Sequence, residues 1–327
     1  MTKARDKNST QQKEIQDTEF KSEITKNLWD FWNKTEEQVN HRYEKTWGYP
    51  TGYRDYDELT GGLHNSELTI VAARHSMGKT SFVLNLAINL ASNNIPVLFV
   101  SYDMDSATIS ERLISSYAEI DSTKIRSGEI RMAQDAEKII KAIDDISSLT
   151  ENGMLKIIPD YIFNFKKLSD DIRNFKAEYS EGVVIVDYFQ LIELEKSEDR
   201  YTELTNMAAA FKRLAMEIKM PLILVSQVSK KREDEQNKRP RLSDLAECDA
   251  LAQHSDNLIF IYREDYYNME KELNKSDYDY DSGINNDKKG IAEIIVAKHK
   301  NGQVKTIEML FQSNIAKFKN RLNTELF

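Results

Sequence analysis

The chain has 327 residues, enough for one large domain or two ordinary ones, and 40% of them are hydrophobic, so a substantial core is expected. A single cysteine, Cys248, excludes an intramolecular disulfide framework and predicts a reducing, cytoplasmic environment; no apolar run has the length of a membrane span, and the polar start predicts no signal peptide. The formal net charge of −9 argues against a protein that coats nucleic acid, although local basic loops can still hold a strand.

The first 46 residues lie outside the main pattern. Residues 1–18 are charged and polar, with too little apolar surface to fold alone, so we predict a disordered tail. Large apolar residues recur at helical spacing in residues 19–46, namely Phe20, Ile24, Leu28, Phe31 and Trp32. This spacing predicts an amphipathic helix. The helix either packs on its own domain or docks on a neighbouring subunit, and the sequence leaves both open.

A phosphate-binding loop is predicted between a strand and a helix. The apolar run Leu68–Ala73 is followed by a tight loop, then by Gly78, Lys79 and Thr80, then by an apolar helical pattern. This order is typical of nucleoside-triphosphate-binding proteins, although Ala73 replaces the usual first glycine. Backbone N–H groups would face the phosphates, Lys79 would neutralise their charge, and the Thr80 hydroxyl would bind Mg²⁺. The predicted binding residues are Ser76, Met77, Gly78, Lys79 and Thr80.

Strands and helices alternate along the rest of the chain. The predicted strands are Leu68–Ala73, Pro96–Ser101, Leu155–Ile158, Gly182–Asp187, Leu222–Ser226, Asn257–Tyr262, Ile291–Lys298 and Thr306–Phe311. Helices are predicted near 106–117, with Ser106 as N-cap, and over 168–179 and 207–218. This alternation predicts an α/β fold, a mainly parallel sheet flanked by helices, in residues 47–320. The last two strands, joined through Asn301-Gly302, should form a hairpin. Residues 265–290 are predicted to be a solvated surface insertion, and 321–327 a tail.

Three polar residues stand at or just after strand ends, where ligands bind in such sheets. Asp187 ends the most apolar strand, and a carboxylate there can hold Mg²⁺ through water. Gln227 ends the next strand, where its amide can sense a γ-phosphate or simply satisfy the strand end. Asp103 follows the second strand and can act as general base for an attacking water.

These motifs resemble the motor domain of the DnaB-type replicative helicases. The segments that carry the resemblance occur in the family's order: Thr51–Leu63, Ala72–Thr80, Val186–Leu191, Ser226-Gln227, Lys238–Leu245 and Ala297–Gly302. The resemblance implies a RecA-like fold, ring hexamers, ATP with Mg²⁺ at subunit interfaces, and single-stranded DNA in the central channel. The family's amino-terminal helical domain has no counterpart in this sequence, and residues 19–46 match only its linker helix.

The same resemblance assigns further site residues and three departures. Asp103 stands at the family's catalytic glutamate; Lys298 matches a hairpin lysine, and Lys300 replaces the arginine finger given to the neighbouring subunit. Lysine offers a point charge without a bidentate fork. The DNA-facing loop reads Ala246-Glu247-Cys248-Asp249 instead of Arg-Glu-Ser-Gly, which should weaken DNA affinity. A nearby cationic cluster can compensate or is simply solvated: Lys230, Lys231, Arg232, Lys238, Arg239 and Arg241.

Two classes of function follow from this pattern. The first is an ATP-driven helicase or translocase that acts in DNA replication. The second is a catalytically weakened, ATP-binding relative that loads, assembles with or inhibits a host replicative helicase, with a loader or primase as further partners. A RecA-like recombinase or regulatory ATPase is a third interpretation, disfavoured by the segment Lys238–Leu245.

Overall fold

The structure is a computed structural model, and it describes residues 48–159, 164–192, 200–228, 237–245, 249–267 and 289–321. Several predictions lie outside these residues: the tail 1–18, the helix 19–46, Lys230, Lys231, Arg232, Ala246, Glu247, Cys248, most of the insertion 265–290, and the end of the chain from 322 onward. No helix in the described part of the chain is long and apolar enough to cross a membrane.

Nine strands form a single sheet in the described residues. They are β1 (Leu68–Ala73), β2 (Val97–Ser101), β3 (Leu155–Ile158), β4 (Val183–Asp187), β5 (Leu222–Gln227), β6 (Asn257–Tyr262), β7 (Ile291–His299), β8 (Lys305–Gln312) and β9 (Lys317–Asn320). The α-helices described are α1 (Arg54–Thr60), α2 (Lys79–Ser92), α3 (Ser106–Ala118), α4 (Ser122–Ser127), α5 (Ala133–Glu151), α6 (Phe165–Glu178), α7 (Arg200–Ile218) and α8 (Asp249–His254).

The strand order is β3-β2-β4-β5-β1-β6-β7-β8-β9. The first six strands run parallel, and β7, β8 and β9 each pair antiparallel with the strand before them. The predicted mainly parallel sheet and the carboxyl-terminal hairpin are therefore confirmed. The prediction that the hairpin ends the series is wrong, because β9 follows it. The buried ring of Phe318 anchors this short edge strand by packing against Phe311 and Phe82.

Helices cover both faces of the sheet. Successive residues of β1 point to opposite faces, so Ile70 belongs to one hydrophobic cluster and Val71 to the other. Helices α2 and α3 pack on the Val71 face, while α6, α7 and α8 pack on the Ile70 face. Every residue of β1 and β4 is buried, as expected for parallel strands covered on both sides.

Three local predictions are corrected by the described residues. Helix α3 is capped by Asp105 rather than Ser106, because the Asp105 carboxylate accepts a hydrogen bond of 2.7 Å from the Thr108 N–H. Helix α7 begins at Arg200, well before the predicted start. The insertion 265–290 does not begin in solvent: Asp265 and Tyr267 are both buried, the first paired with Arg263 and the second packed on Tyr262.

Candidate nucleotide-binding site

The loop between β1 and α2 requires glycine at position 78. Gly78 caps α2 in the left-handed conformation, with φ of 96°, and its carbonyl accepts a hydrogen bond from the Phe82 N–H at 2.9 Å. An added Cβ would lie 3.2 Å from both the Phe311 and the Phe318 ring, so the position also lacks room. Ser76 is left-handed as well, with φ of 60°. Backbone of this kind before a helix start forms an anion-binding concavity.

The loop's lysine points back along the strand that precedes it. Lys79 Nζ donates to the carbonyl oxygens of Ala73 at 3.1 Å and Arg74 at 3.0 Å. Burial lowers the Lys79 pKa to about 8, although the negative charges of Asp187 and Asp103 oppose the change. The Met77 side chain is buried in the core, so this residue offers only its backbone to a ligand.

Asp187 lies at the end of β4 with its side chain 1% exposed. Burial raises its pKa to about 6, while a hydrogen bond with Thr80 and the charge of Lys79 act in the opposite direction. Within the described residues, Oδ2 of Asp187 is buried and has no hydrogen-bond partner. A buried, unsatisfied carboxylate oxygen beside a threonine hydroxyl suits a hard divalent cation such as Mg²⁺, directly or through water.

A cleft of about 460 Å³ joins these groups. Its lining includes the predicted residues Ser76, Gly78, Lys79, Thr80, Asp103, Asp187 and Gln227. Asp103 is exposed on the loop after β2. The Gln190 amide fixes Gln227 from both sides, because its Nε2 donates to the Gln227 carbonyl at 3.0 Å and its Oε1 accepts from the Gln227 N–H at 3.1 Å.

The cleft also contains charged residues that the sequence reasoning missed. Arg263 is 5% exposed, donates to the Ser76 carbonyl at 3.3 Å, and lies 4.6 Å from the centroid of the Phe311 ring. It follows β6 directly, so the strand-end rule that identified Asp187 and Gln227 could have found it. Helix α3 contributes Arg112, whose charge opposes the rise in the Asp187 pKa that burial causes. No motif marks a single arginine on a helix.

The two hairpin cations do not reach this chain's own cleft. Lys298 pairs in register with Leu258 near the start of β6, level with Ile70 of β1, whereas the loop 74–78 follows the far end of β1. Four strand residues at about 3.3 Å each separate this level from the loop by about 13 Å, and Lys300 lies two residues farther away, at about 20 Å. Lys298 Nζ instead donates to the carbonyls of Ala252 and Ser255 at the end of α8, and Lys300 Nζ lies 3.2 Å from Asp256 Oδ1.

The predicted DNA-binding arginines differ in their surroundings. Arg239 donates to both carboxylate oxygens of Glu293, at 2.6 and 2.5 Å, contacts Glu264 at 3.2 Å, and stacks 4.9 Å from the Tyr262 ring centroid. These carboxylates raise its pKa above the ordinary arginine value. Arg241 is exposed. Arg239 therefore serves the fold in this arrangement, and Arg241 is the arginine of the two that faces solvent.

Comparisons with known proteins agree with this geometry. The family model of the DnaB-like helicase C terminal domain matches residues 48–320. Relatives named replicative DNA helicase DnaB include one from Rickettsia conorii, 37% identical over 294 residues (86% of this chain, 58% of the relative), and one from Geobacillus stearothermophilus, 33% identical over 287 residues (87% and 59%). The chain thus spans a little under three fifths of these relatives' length.

Two solved structures share the fold. One is an ATPase domain that superposes with a TM-score of 0.77 and 30% identity, covering 90% of this chain and 99% of that one. The other is a DnaB-like replicative helicase whose structure was described together with its interactions with primase. It superposes with a TM-score of 0.76 and 30% identity, covering 90% of this chain and 66% of that one. These similarities confirm the RecA-like fold and the resemblance seen in the motifs. The chain belongs to the family of the DnaB-like helicase C-terminal domain.

Proposed function

We propose that this chain is an ATP-hydrolysing motor subunit that binds Mg·ATP in the cleft beside β1. The observation that carries this proposal is the convergence of Gly78, Lys79, Thr80 and Asp187 on one polar cleft. The loop backbone and Lys79 would hold the phosphates, and Thr80 and Asp187 would hold Mg²⁺, which neutralises phosphate charge when bound.

Two cleft residues would act on the reaction itself. Asp103 would take a proton from the attacking water, since it is an exposed carboxylate at the cleft wall. Gln227, held by Gln190, would present its amide to the γ-phosphate. Arg263 lines the same cleft and adds a positive charge to it.

The remaining charge would come from a neighbouring subunit. Lys298 and Lys300 lie at the opposite edge of the sheet from the chain's own loop, so they can serve a triphosphate only in another copy. A head-to-tail contact of this kind repeats from copy to copy, and it forms a ring when the rotation between neighbouring copies closes. We therefore propose a ring, most simply a hexamer, that holds single-stranded DNA near Arg241 and the cationic segment 230–241.

A second candidate is an ATP-binding relative with weakened catalysis that assembles with, loads or inhibits a host replicative helicase. Asp103 favours it: the side chain is exposed, carries no resolved hydrogen bond in the described residues, and is one methylene shorter than glutamate. Lys300 favours it too, since an ammonium cannot grip two phosphate oxygens in a fixed fork.

One experiment separates the two candidates. ATP hydrolysis is measured with and without single-stranded DNA, and strand displacement is measured on a forked duplex in the same preparation. A motor gives DNA-stimulated hydrolysis together with displacement. A weakened relative binds ATP but gives no displacement, even when hydrolysis is detectable. Failure to bind ATP at millimolar concentration contradicts both candidates.

A further inference from the structure

Asp256 is a buried carboxylate at the sheet edge that carries Lys300. It immediately precedes β6, and its side chain is 5% exposed. Oδ2 accepts hydrogen bonds from the Leu68 N–H at 2.9 Å and from Lys212 Nζ at 2.5 Å, while Oδ1 lies 3.2 Å from Lys300 Nζ. Burial acts to raise the Asp256 pKa, but the bonds from Lys212 and Leu68 outweigh it, so the pKa is below its usual value. The group is therefore an anion at neutral pH.

The backbone around Lys300 is held without help from this carboxylate. The Lys300 N–H donates to the Asp256 carbonyl at 3.0 Å. Asn301 Nδ2 donates to Glu67 Oε1 at 2.8 Å, and Asn257 Nδ2 donates to Glu67 Oε2 at 2.7 Å. The turn is thus fixed by Glu67, and only the flexible stem of Lys300 remains to be oriented.

The Lys300 ammonium would not stay at this place by itself. Its side chain is 61% exposed, and Asp256 is the carboxylate it pairs with in the described part of the chain. Two further ammonium groups, on Lys212 and Lys298, lie close enough to influence the site. Burial lowers the Lys298 pKa, and the positive charges of Lys300 and Lys212 lower it further. Like charges repel, so the anion between them is what keeps Lys300 at the turn.

We infer that Asp256 is a positioning residue that holds the Lys300 ammonium in the orientation from which it reaches a neighbouring subunit's triphosphate. This inference rests on the proposed role of Lys300 in trans. An ammonium has three N–H donors, so one bond to Asp256 leaves two for phosphate oxygens. A planar arginine fork is preorganised by its own geometry, whereas a lysine at this position requires an external group to orient it.

The test is steady-state ATP hydrolysis by the full chain with saturating single-stranded DNA. Asp256→Asn keeps the shape and removes the charge. We expect kcat to fall by about tenfold, a typical size for coupling between contacting residues, with little change in KM. In a Lys300→Met background the same substitution should have no further effect. Glu178→Gln is the matched control, because it neutralises a carboxylate that pairs with a different lysine, Lys156 on β3, and it should keep the parent kcat.

The outcomes distinguish the inference from the function on which it rests. If Lys300→Met lowers kcat but Asp256→Asn does not, or if the two losses multiply, the inference is overturned and the trans role stands. If Lys300→Met keeps the parent kcat, the trans role fails and the inference with it. If Asp256→Asn fails to fold because the half-buried Lys212 loses its ion-pair partner, Asp256→Asn with Lys212→Met is compared with Lys212→Met alone. The same loss of kcat is expected, and its absence overturns the inference.

Discussion

Lys79 and Asp187 lie close enough in the cleft for each to stabilise the charge of the other. Burial lowers the Lys79 pKa to about 8 and raises the Asp187 pKa to about 6, and in both cases the partner's charge limits the change. Between these two values both groups are ionised, although each is largely removed from water. A triphosphate with a divalent cation would bring one negative and one positive partner to this pair.

Replacing Lys79 by Ala should remove ATP binding. Lys79 supplies the positive charge at the start of α2 in the cleft. Truncating one member of a buried charge pair costs about 2–5 kcal/mol, which corresponds to at least about a 30-fold loss of affinity. Calorimetric titration with Mg·ATP measures the change. Lys156→Ala, on β3 and far from the cleft, is the control. Parent-like affinity in the Lys79 variant would contradict the assignment of the loop.

The charge of Asp187 should destabilise the folded chain at neutral pH. Folded Asp187 binds a proton below about pH 6, whereas an ordinary carboxyl does so only below 3.8. Between these values the folded state binds more protons, so stability falls as pH rises through this window and the penalty is complete above about pH 6. Asp187→Asn should therefore raise the free energy of unfolding at pH 8 by at most about 3 kcal/mol, a figure that already includes the attraction to Lys79.

Thermal unfolding of the nucleotide-free chain at pH 5 and pH 8 measures this effect. The gain in Asp187→Asn should shrink at pH 5, where the parent carboxyl is already protonated. Asp144→Asn removes an exposed carboxylate on α5 and should leave stability unchanged at both pH values. An Asp187→Asn variant that is less stable than the parent at pH 8 would show that the carboxylate contributes more through Lys79 and Thr80 than burial costs.

The sequence was most informative where a strand is buried on both faces. The bounds of β1 and β6, whose residues are all buried, match the predicted ones because each is a short, mainly apolar run ended by polar or turn residues. Helix α5 was missed because Ala142 is its one fully buried residue, while Ile140 and Ile143 are exposed, so its apolar positions do not form the expected stripe.

The residues of the candidate site also differ in how far their positions can be predicted from the sequence. The loop residues and Asp187 could be predicted because their motif is local: each sits at a strand end and its role depends on the adjacent turn. The position of Lys300 could not be derived from spacing, since it depends on β7 running antiparallel beside β6. The partnership of Arg239 with Glu293 was equally inaccessible, because 54 residues separate the two in sequence.

Arg239 and Arg241 should separate stability from DNA binding. Arg239→Ala removes two hydrogen bonds from the buried carboxylate of Glu293, which should lower the free energy of unfolding by about 2 kcal/mol. Arg241→Ala should leave stability unchanged, weaken single-stranded DNA binding, and reduce the salt dependence of the affinity by about one counterion. Fluorescence anisotropy at several salt concentrations and thermal unfolding measure the two effects. An Arg241 variant with parent-like affinity and salt dependence would place the DNA elsewhere.

A mixture of two impaired variants should regain ATP hydrolysis if sites are shared between subunits. Lys79→Ala lacks the loop lysine but keeps Lys300, whereas Lys300→Met has the opposite defect. In randomly mixed rings about one quarter of the interfaces combine an intact loop with an intact Lys300. Hydrolysis by the mixture should exceed the sum of the two separate rates. Sedimentation with nucleotide and DNA provides the assembly state, and monomers alone at micromolar protein would contradict the ring.

The catalytic set predicts slow ATP turnover that depends on Asp103 and Lys300. A general base must lie within about 2.6–3.2 Å of the water from which it takes a proton, and aspartate reaches one methylene less far than glutamate. Lysine also lacks the fork of an arginine finger, which contributes about 10³–10⁵ in rate in related phosphoryl transfers. Asp103→Glu and Lys300→Arg should therefore raise kcat, provided that the backbone accepts the longer groups.

Asp103→Asn decides whether this carboxylate is the base, because the amide keeps the size of the side chain and cannot accept the proton. Its hydrolysis of ATP with saturating single-stranded DNA should be nearly abolished, while its ATP affinity stays close to that of the parent. Asp105→Asn is the nearest control: this carboxylate caps α3 outside the cleft lining, so its loss should change stability more than turnover. Equal hydrolysis by Asp103→Asn and the parent would remove Asp103 from the catalytic set and leave the proton to another acceptor in the cleft.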